Sequence, residues 1–273
     1  MNRLQRRLQE HGGGTLFGVA VYFYDPIFIE IAARLGYQVA WIEMEHSSLS
    51  FGEVADLCRI SQGAGLLTMI RVADSRRESI LKAAECGPDI IDVPMANSPE
   101  VLVELARFAR FPPVGARGTF SVSRALHYGL VDNLPQAQDA LNDELCLMAQ
   151  IETRDALDRA DELCAVEGVE IFIGPADLSA SLGVPGESGH PLVKQAAAKI
   201  IAAARRRGKS VATAARAADF DFWIEQGVDV LFCTNDISAL RVGAEQALAM
   251  ARAAVTRARS AHAGAVPGGR IAE

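Results

Sequence analysis

The chain has 273 residues, half of them apolar, with few aromatics, and a formal charge of −7 from 27 basic and 34 acidic residues. That length holds one large α/β domain or two small ones, and the acidic balance argues against duplex nucleic acid, whose binding leans on clustered positive charge. The sequence has neither an uncharged apolar run of the ~20 residues that cross a bilayer nor the apolar centre of a signal sequence in residues 1–10.

Five cysteines, an odd number without CxxC spacing, argue against a disulfide framework or a zinc knuckle. They imply buried, inert thiols and a reducing cytoplasm. Residues 1–14, ending in Gly12-Gly13-Gly14, read as a flexible lead-in. Strand-like and helical patterns then alternate. Strands are expected over 15–23, 38–43, 66–72, 90–93, 146–151, 169–173, 210–213 and 230–233. A helix should follow each, over 26–35, 51–62, 76–86, 98–109, 153–165, 191–207, 217–226 and 237–252. Asp25-Pro26 is an N-cap followed by an N1 proline, and Gly36, Gly63, Gly87, Gly208 and Gly227 stand where helices end.

Eight such pairs with no dividing linker predict a single-domain (β/α)8 TIM barrel over 15–260, followed by a flexible tail over 261–273. A doubly wound open sheet is the competitor. It lacks its phosphate turn, because the glycine triplet precedes the first strand instead of following it. One long departure, residues 111–143, opens with Phe111-Pro112-Pro113 and carries Ser121, Ser123, Arg124 and His127. It reads as a lid or a part of the site, or else as a surface loop that pads the barrel.

In such a barrel, polar residues at the strand C-termini are candidates for chemistry. The run 146–151 ends at Glu152, and the next strand breaks at Gly174-Pro175 and delivers Asp177. Neighbouring parallel strands place these two carboxylates side by side, the hard-oxygen pair that Mg²⁺ or Mn²⁺ usually receives from a protein. Arg71 closes an apolar strand, where it meets either a substrate anion or a barrel salt bridge to Glu43 or Glu45. His46 follows Glu43-Met44-Glu45, so a carboxylate is available to orient it as a base. Glu45 is either such an orienter or a wall salt bridge, and Asp236 reads as a helix N-cap. No lysine closes a strand, which leaves a Schiff-base route without a candidate.

Six motifs occur in order: Glu45-His46 after a strand, Arg71 closing the next, Val93-Pro94-Met95, Pro112-Pro113-Val114-Gly115-Ala116-Arg117-Gly118, Gln150-Ile151-Glu152, and Gly174-Pro175-Ala176-Asp177-Leu178-Ser179-Ala180-Ser181-Leu182-Gly183. With these the chain resembles the HpcH/HpaI family of metal-dependent, class II pyruvate aldolases. The resemblance implies reversible aldol cleavage of a 4-hydroxy-2-oxo acid to pyruvate and an aldehyde. It also implies a divalent cation (Mg²⁺, Mn²⁺ or Co²⁺) on Glu152 and Asp177, and a homohexamer in which the last helix swaps between subunits. By the same resemblance His46, Arg71, Glu43 and Glu85 are catalytic, and Arg71, Gln150, Pro175, Ala176 and Ser179 bind the 2-oxo acid. Glu43 and Glu85 stand where the family usually has Asp, Met44 where it has Gly, and Ala214 where it has bulkier residues, so the aldehyde preference is open. Two other readings compete: a citrate- or malate-type carbon–carbon lyase or synthase acting on oxaloacetate or a coenzyme A thioester, and a non-catalytic barrel whose metal stabilises an oligomer.

Overall fold

The computed structural model describes residues 1–264, with side chains to Ser260, and the chain divides into two compact units, Met1–Asn235 and Asp236–Glu273. The first is a closed barrel of eight parallel strands: β1 (Leu16–Val21), β2 (Val39–Glu43), β3 (Leu67–Arg71), β4 (Ile90–Val93), β5 (Cys146–Ile151), β6 (Glu170–Ile173), β7 (Val211–Ala214) and β8 (Val230–Asn235), with β8 pairing back onto β1. The (β/α)8 reading is therefore correct, and the open sheet is excluded. The compact barrel unit ends at Asn235, short of the expected 260.

The helices follow the expected order. They are α1 (Arg3–Glu10), α2 (Pro26–Leu35), α3 (Phe51–Gly63), α4 (Arg77–Glu85), α5 (Pro99–Ala109), α6 (Leu134–Glu144), α7 (Arg154–Asp158), α8 (Ala160–Ala165), α9 (Pro175–Ser181), α10 (Pro191–Arg206), α11 (Phe220–Glu225) and α12 (Asp236–Gly264). The expected single helix over 153–165 is two, divided at Arg159. Helix α12 runs past the expected end at 252. Of the expected tail, residues from 265 onward lie outside the described residues.

Alternation along each strand sorts its side chains between two cores. Ile42, Ile70, Ile91, Leu147 and Ile171 face the helices. Val39, Trp41, Met69, Met148, Phe172 and Phe232 fill the barrel interior. Trp41 meets Phe172 and Phe232 edge-on, each at 5.2 Å between ring centroids, and this aromatic layer forms a floor below the strand C-termini. Gly18 leaves the space the layer needs: a Cβ there would lie 2.5 Å from the Phe232 ring.

Residues 1–14 hold a helix instead of a flexible lead-in. Asn2 and Gln5 form a capping box, and Leu4 is fully buried in the barrel's interior core. Burying one leucine contributes about 1.5–3 kcal/mol. Arg3 reaches Asp89 at 3.1 Å and Glu144 at 2.9 Å, which ties the helix to the N-terminal ends of the strands. Four of the five free cysteines are buried, and burial pushes Cys86 and Cys164 up to about 11. These four match the expected buried thiols, whereas Cys233 is only half-buried. Among the described residues no helix is long and apolar enough to cross a membrane.

Candidate active site

Glu43, Arg71 and Asp92 are paired in register across β2, β3 and β4, so three charged side chains meet on one layer just above the aromatic floor. Arg71 is 5% exposed and lies over the Trp41 ring, its Cζ 4.9 Å from the centroid. Its Nε donates to Glu43 Oε2 at 2.6 Å, while Nη1 lies 3.0 Å from Glu45 Oε2 and donates to Gln150 Oε1 at 3.3 Å. Its Nη2 has no hydrogen-bond partner among the described residues. Burial works against the guanidinium's charge, but Glu43, Glu45 and Asp92 outweigh it and hold its pKa above the ordinary value. The salt bridge left open by the sequence is thus present, and one end of the fork remains unengaged.

The expectation that Glu43 is the carboxylate orienting His46 is corrected. Glu43 Oε2 is given to Arg71, and its Oε1 accepts the backbone N–H groups of Glu45 at 2.6 Å and His46 at 3.0 Å. The carboxylate closes the turn after β2 and does not touch the imidazole. The reason is local: where the strand ends, the next residues curl back and present amides to the last inward side chain. The His46 ring, 59% exposed, instead has Glu45 beside it, with Nε2 and Oε2 3.7 Å apart. Burial raises the Glu45 pKa, against Arg71 and His46, which lower it.

Glu152 follows β5 and is buried. Its Oε1 accepts the Met95 N–H at 2.7 Å, and Met95 holds a left-handed backbone (φ 53°) to present it. Oε2 is buried with no partner among the described residues. Burial raises the Glu152 pKa to about 7, opposed by the Met95 amide and increased further by the charge of Asp177. Asp177 stands exposed in the first turn of α9. Gly174 has no room for a side chain, since a Cβ would lie 2.3 Å from Glu152 Oε2. A buried carboxylate oxygen left unpaired beside a second carboxylate fits a hard divalent cation. The protein's share is small: among the described residues no three His, Cys, Asp or Glu side chains gather at one point.

Pro175, Ala176 and Ser179 share the α9 turn with Asp177, but the buried Ser179 hydroxyl donates to the Ala176 carbonyl at 2.6 Å. Gln150 is buried, with one amide proton on Asp92 and its oxygen on Arg71. Glu85 is not brought to this cluster. It ends α4, four residues before Asp89 accepts the Thr68 N–H at the start of β3, and so lies at the opposite, N-terminal end of the barrel, 3.1 Å from Arg117. The insertion lies there too: Arg124 donates to the Cys86 and Gly87 carbonyls and to Gln62. It does not cover its own barrel's mouth, because an insertion that follows a helix emerges where strands begin. A cavity of about 900 Å³ at that end, among Asn2, Arg110, Glu170 and Lys209, contains none of the mouth residues. Asp92 was missed in the sequence. Its signal is a charge at an inward position of the otherwise apolar Ile90-Ile91-Asp92-Val93.

A family model described as HpcH/HpaI aldolase/citrate lyase matches residues 18–230, from within β1 to the first residue of β8. The chain belongs to that family. A 2-keto-3-deoxy-L-rhamnonate aldolase of Shigella sonnei is 36% identical over 220 residues, 80% of each chain. A hydroxypyruvate/pyruvate aldolase of Sagittula stellata is 34% identical over 196 residues, 71% of this chain and 76% of its own. The crystal structure of an HpcH/HpaI aldolase/citrate lyase family protein from Burkholderia cenocepacia superposes with a TM-score of 0.85 at 29% identity, covering 92% of this chain and all of that one. The HpcH/HpaI barrel described here is accordingly an enzyme, a carbon–carbon lyase of the pyruvate aldolase kind, which sets aside the non-catalytic barrel.

Proposed function

We propose that this HpcH/HpaI enzyme reversibly cleaves a 4-hydroxy-2-oxo acid to pyruvate and an aldehyde, using a divalent cation (Mg²⁺, Mn²⁺ or Co²⁺) held by Glu152 and Asp177. The observation that carries this reading is the unpartnered Glu152 oxygen beside Asp177 at the same mouth as the unengaged Nη2 of Arg71. When bound, the cation supplies Lewis-acid polarisation of the 2-oxo group. Arg71 is fixed by Glu43, Glu45 and Gln150 and offers Nη2 to the oxygen on which enolate charge develops, in a pocket whose floor excludes water. His46, exposed at the mouth with Glu45 beside its ring, takes the 4-hydroxyl proton through water as the C3–C4 bond breaks and returns a proton to C3. Because Glu43 serves Arg71, its acid–base contribution is indirect. The reading includes a cytoplasmic homohexamer; exposed Leu240, Leu248 and Met250 on α12 are apolar surface that association could cover, and light scattering tests the stoichiometry.

The test is pyruvate release across a panel of 4-hydroxy-2-oxo acids with oxaloacetate included. Release from at least one hydroxy acid is expected, and turnover of oxaloacetate alone would replace this reading with the citrate-type one. In the same assay His46→Ala should lose about 10²–10⁴-fold in kcat. Its melting temperature should stay within a degree or two, because the exposed ring supports little of the fold.

Cation binding should be pH-dependent with a definite sign. Before the cation enters, Glu152 is protonated below about 7, and only the carboxylate is a ligand. Affinity should therefore fall about tenfold per unit as pH drops below 7, and level off above it. Calorimetry of Mn²⁺ binding in buffers of different ionisation heat should show close to one proton released at pH 6 and almost none at pH 8. Equal proton release at both values would mean that Glu152 is not the ligand.

A further inference from the structure

Asp92 is fully buried at an inward position of β4, between Arg71 and Met148 in register. Its carboxyl is unusually placed: burial pushes its pKa up to about 8, although Arg71 and the Gln150 amide pull it down. Its Oδ1 has no partner among the described residues, so only Oδ2 is engaged, and that atom accepts from Nε2 of Gln150. The Gln150 oxygen in turn accepts from Nη1 of Arg71 at 3.3 Å.

A glutamine side chain has one donor end and one acceptor end, and either can lead. Beside a guanidinium, which only donates, the amide is useful in one orientation alone. Gln150 would be free to reverse if nothing held its nitrogen. Asp92 supplies the acceptor that holds it.

We propose that Asp92 is a positioning residue of this active site, which accepts a hydrogen bond from the Gln150 amide, turns the Gln150 oxygen toward Arg71, and so sets the direction in which the guanidinium presents Nη2. The chain of contacts is Asp92 to Gln150 to Arg71, each link between buried side chains on the adjacent strands β3, β4 and β5. The role given to Nη2 rests on the aldolase reading above, whereas the orientation of Gln150 does not.

The decisive comparison is Asp92→Leu against Asp92→Asn. Leucine fits an apolar strand in size but accepts nothing, so the amide is released. A misplacement of about 1 Å near the reacting atoms costs about 10²-fold. Asp92→Leu should therefore lower kcat by about 10- to 100-fold, with at most a modest fall in melting temperature, because the released Gln150 amide becomes a buried donor without an acceptor. Asparagine retains an acceptor oxygen and should recover most of the lost activity. Because Asp92 acts through Gln150, the double variant Asp92→Leu/Gln150→Leu should be no slower than Gln150→Leu alone. In a crystal structure of Asp92→Leu the Gln150 amide should be reversed or withdrawn from Arg71.

Wild-type kcat in Asp92→Leu, an asparagine variant as impaired as the leucine one, or an unmoved Gln150 oxygen in the crystal would each overturn the proposal. The crystallographic result decides it even if the wild-type protein releases no pyruvate, which would overturn the aldolase reading alone. Should Asp92→Leu not fold, Asp92→Asn with Gln150→Leu still distinguishes the outcomes: equal losses in both contradict an acceptor role.

Discussion

Replacing Arg71 with lysine should lower kcat for pyruvate release by about 10²–10³-fold, the effect typical of removing one preorganised donor from developing negative charge. The guanidinium spans three partners at once, with Nε on Glu43 and Nη1 on Glu45 and Gln150, and still has Nη2 for substrate. One ammonium cannot reproduce that planar fork. Stability should fall as well, because the buried Glu43 carboxylate loses its close Nε–H donor and retains its other fixed donors, two backbone amides. Removing the charge altogether, as in Arg71→Leu, should cost about 3–5 kcal/mol, the usual penalty for stranding one half of a buried ion pair. The lysine variant should lie between this and the wild type. Measuring kcat and melting temperature on the same samples separates the two roles. A lysine variant that is less stable but has unchanged kcat would leave Arg71 as a barrel salt bridge only.

Glu152→Gln should have the opposite profile, with activity lost and the fold strengthened. The carboxylate has one amide partner and one buried oxygen with none, and its pKa stands at about 7 instead of the ordinary 4.5. For an acid raised in this way the folded state binds the proton more tightly than the unfolded chain. Stability is therefore lost as pH rises from about 4.5 through 7. Above pH 7 the cost is on the order of 3 kcal/mol in metal-free protein. Glutamine removes that charge, so the variant should melt higher than metal-free wild type at pH 8 and equally at pH 5. Its kcat should fall by about 10³-fold or more, since one of the two proposed cation ligands has gone. A variant that is both destabilised at pH 8 and active would show that Glu152 is a structural carboxylate.

Much of the fold was legible because its signals were repeated. Strands β4 and β5 occupy the expected residues, since an apolar run bounded by turn signals leaves few alternatives. The placement of Glu152 and Asp177 at one end of the barrel was legible for the same reason: acids that come soon after buried parallel strands are carried there. Other features were written more faintly. Helix α1 has only Leu4 and Leu8 as its apolar pair, but Asn2 and Gln5 already spelled the capping box. The length of the insertion fits a lid, a part of the site or a padding loop alike, whereas its place after a helix is what puts it at the base. His46 stands three residues from Glu43, but after a strand that separation brings an amide to the carboxylate and leaves the ring beside Glu45. Asp92 was hidden because one charge among three apolar neighbours still scores as a core strand, and the partners that hold it come from β3 and β5.

The most direct test is pyruvate release from the best 4-hydroxy-2-oxo acid by exhaustively chelated protein, before and after Mg²⁺, Mn²⁺ or Co²⁺ is returned, with Glu152→Gln and Asp177→Asn carried in parallel. Activity should vanish on chelation, return in the wild type with at least one cation, and return in neither variant. Full turnover by the chelated wild type, or equal restoration in either variant, would contradict a metal-dependent aldolase built on Glu152 and Asp177.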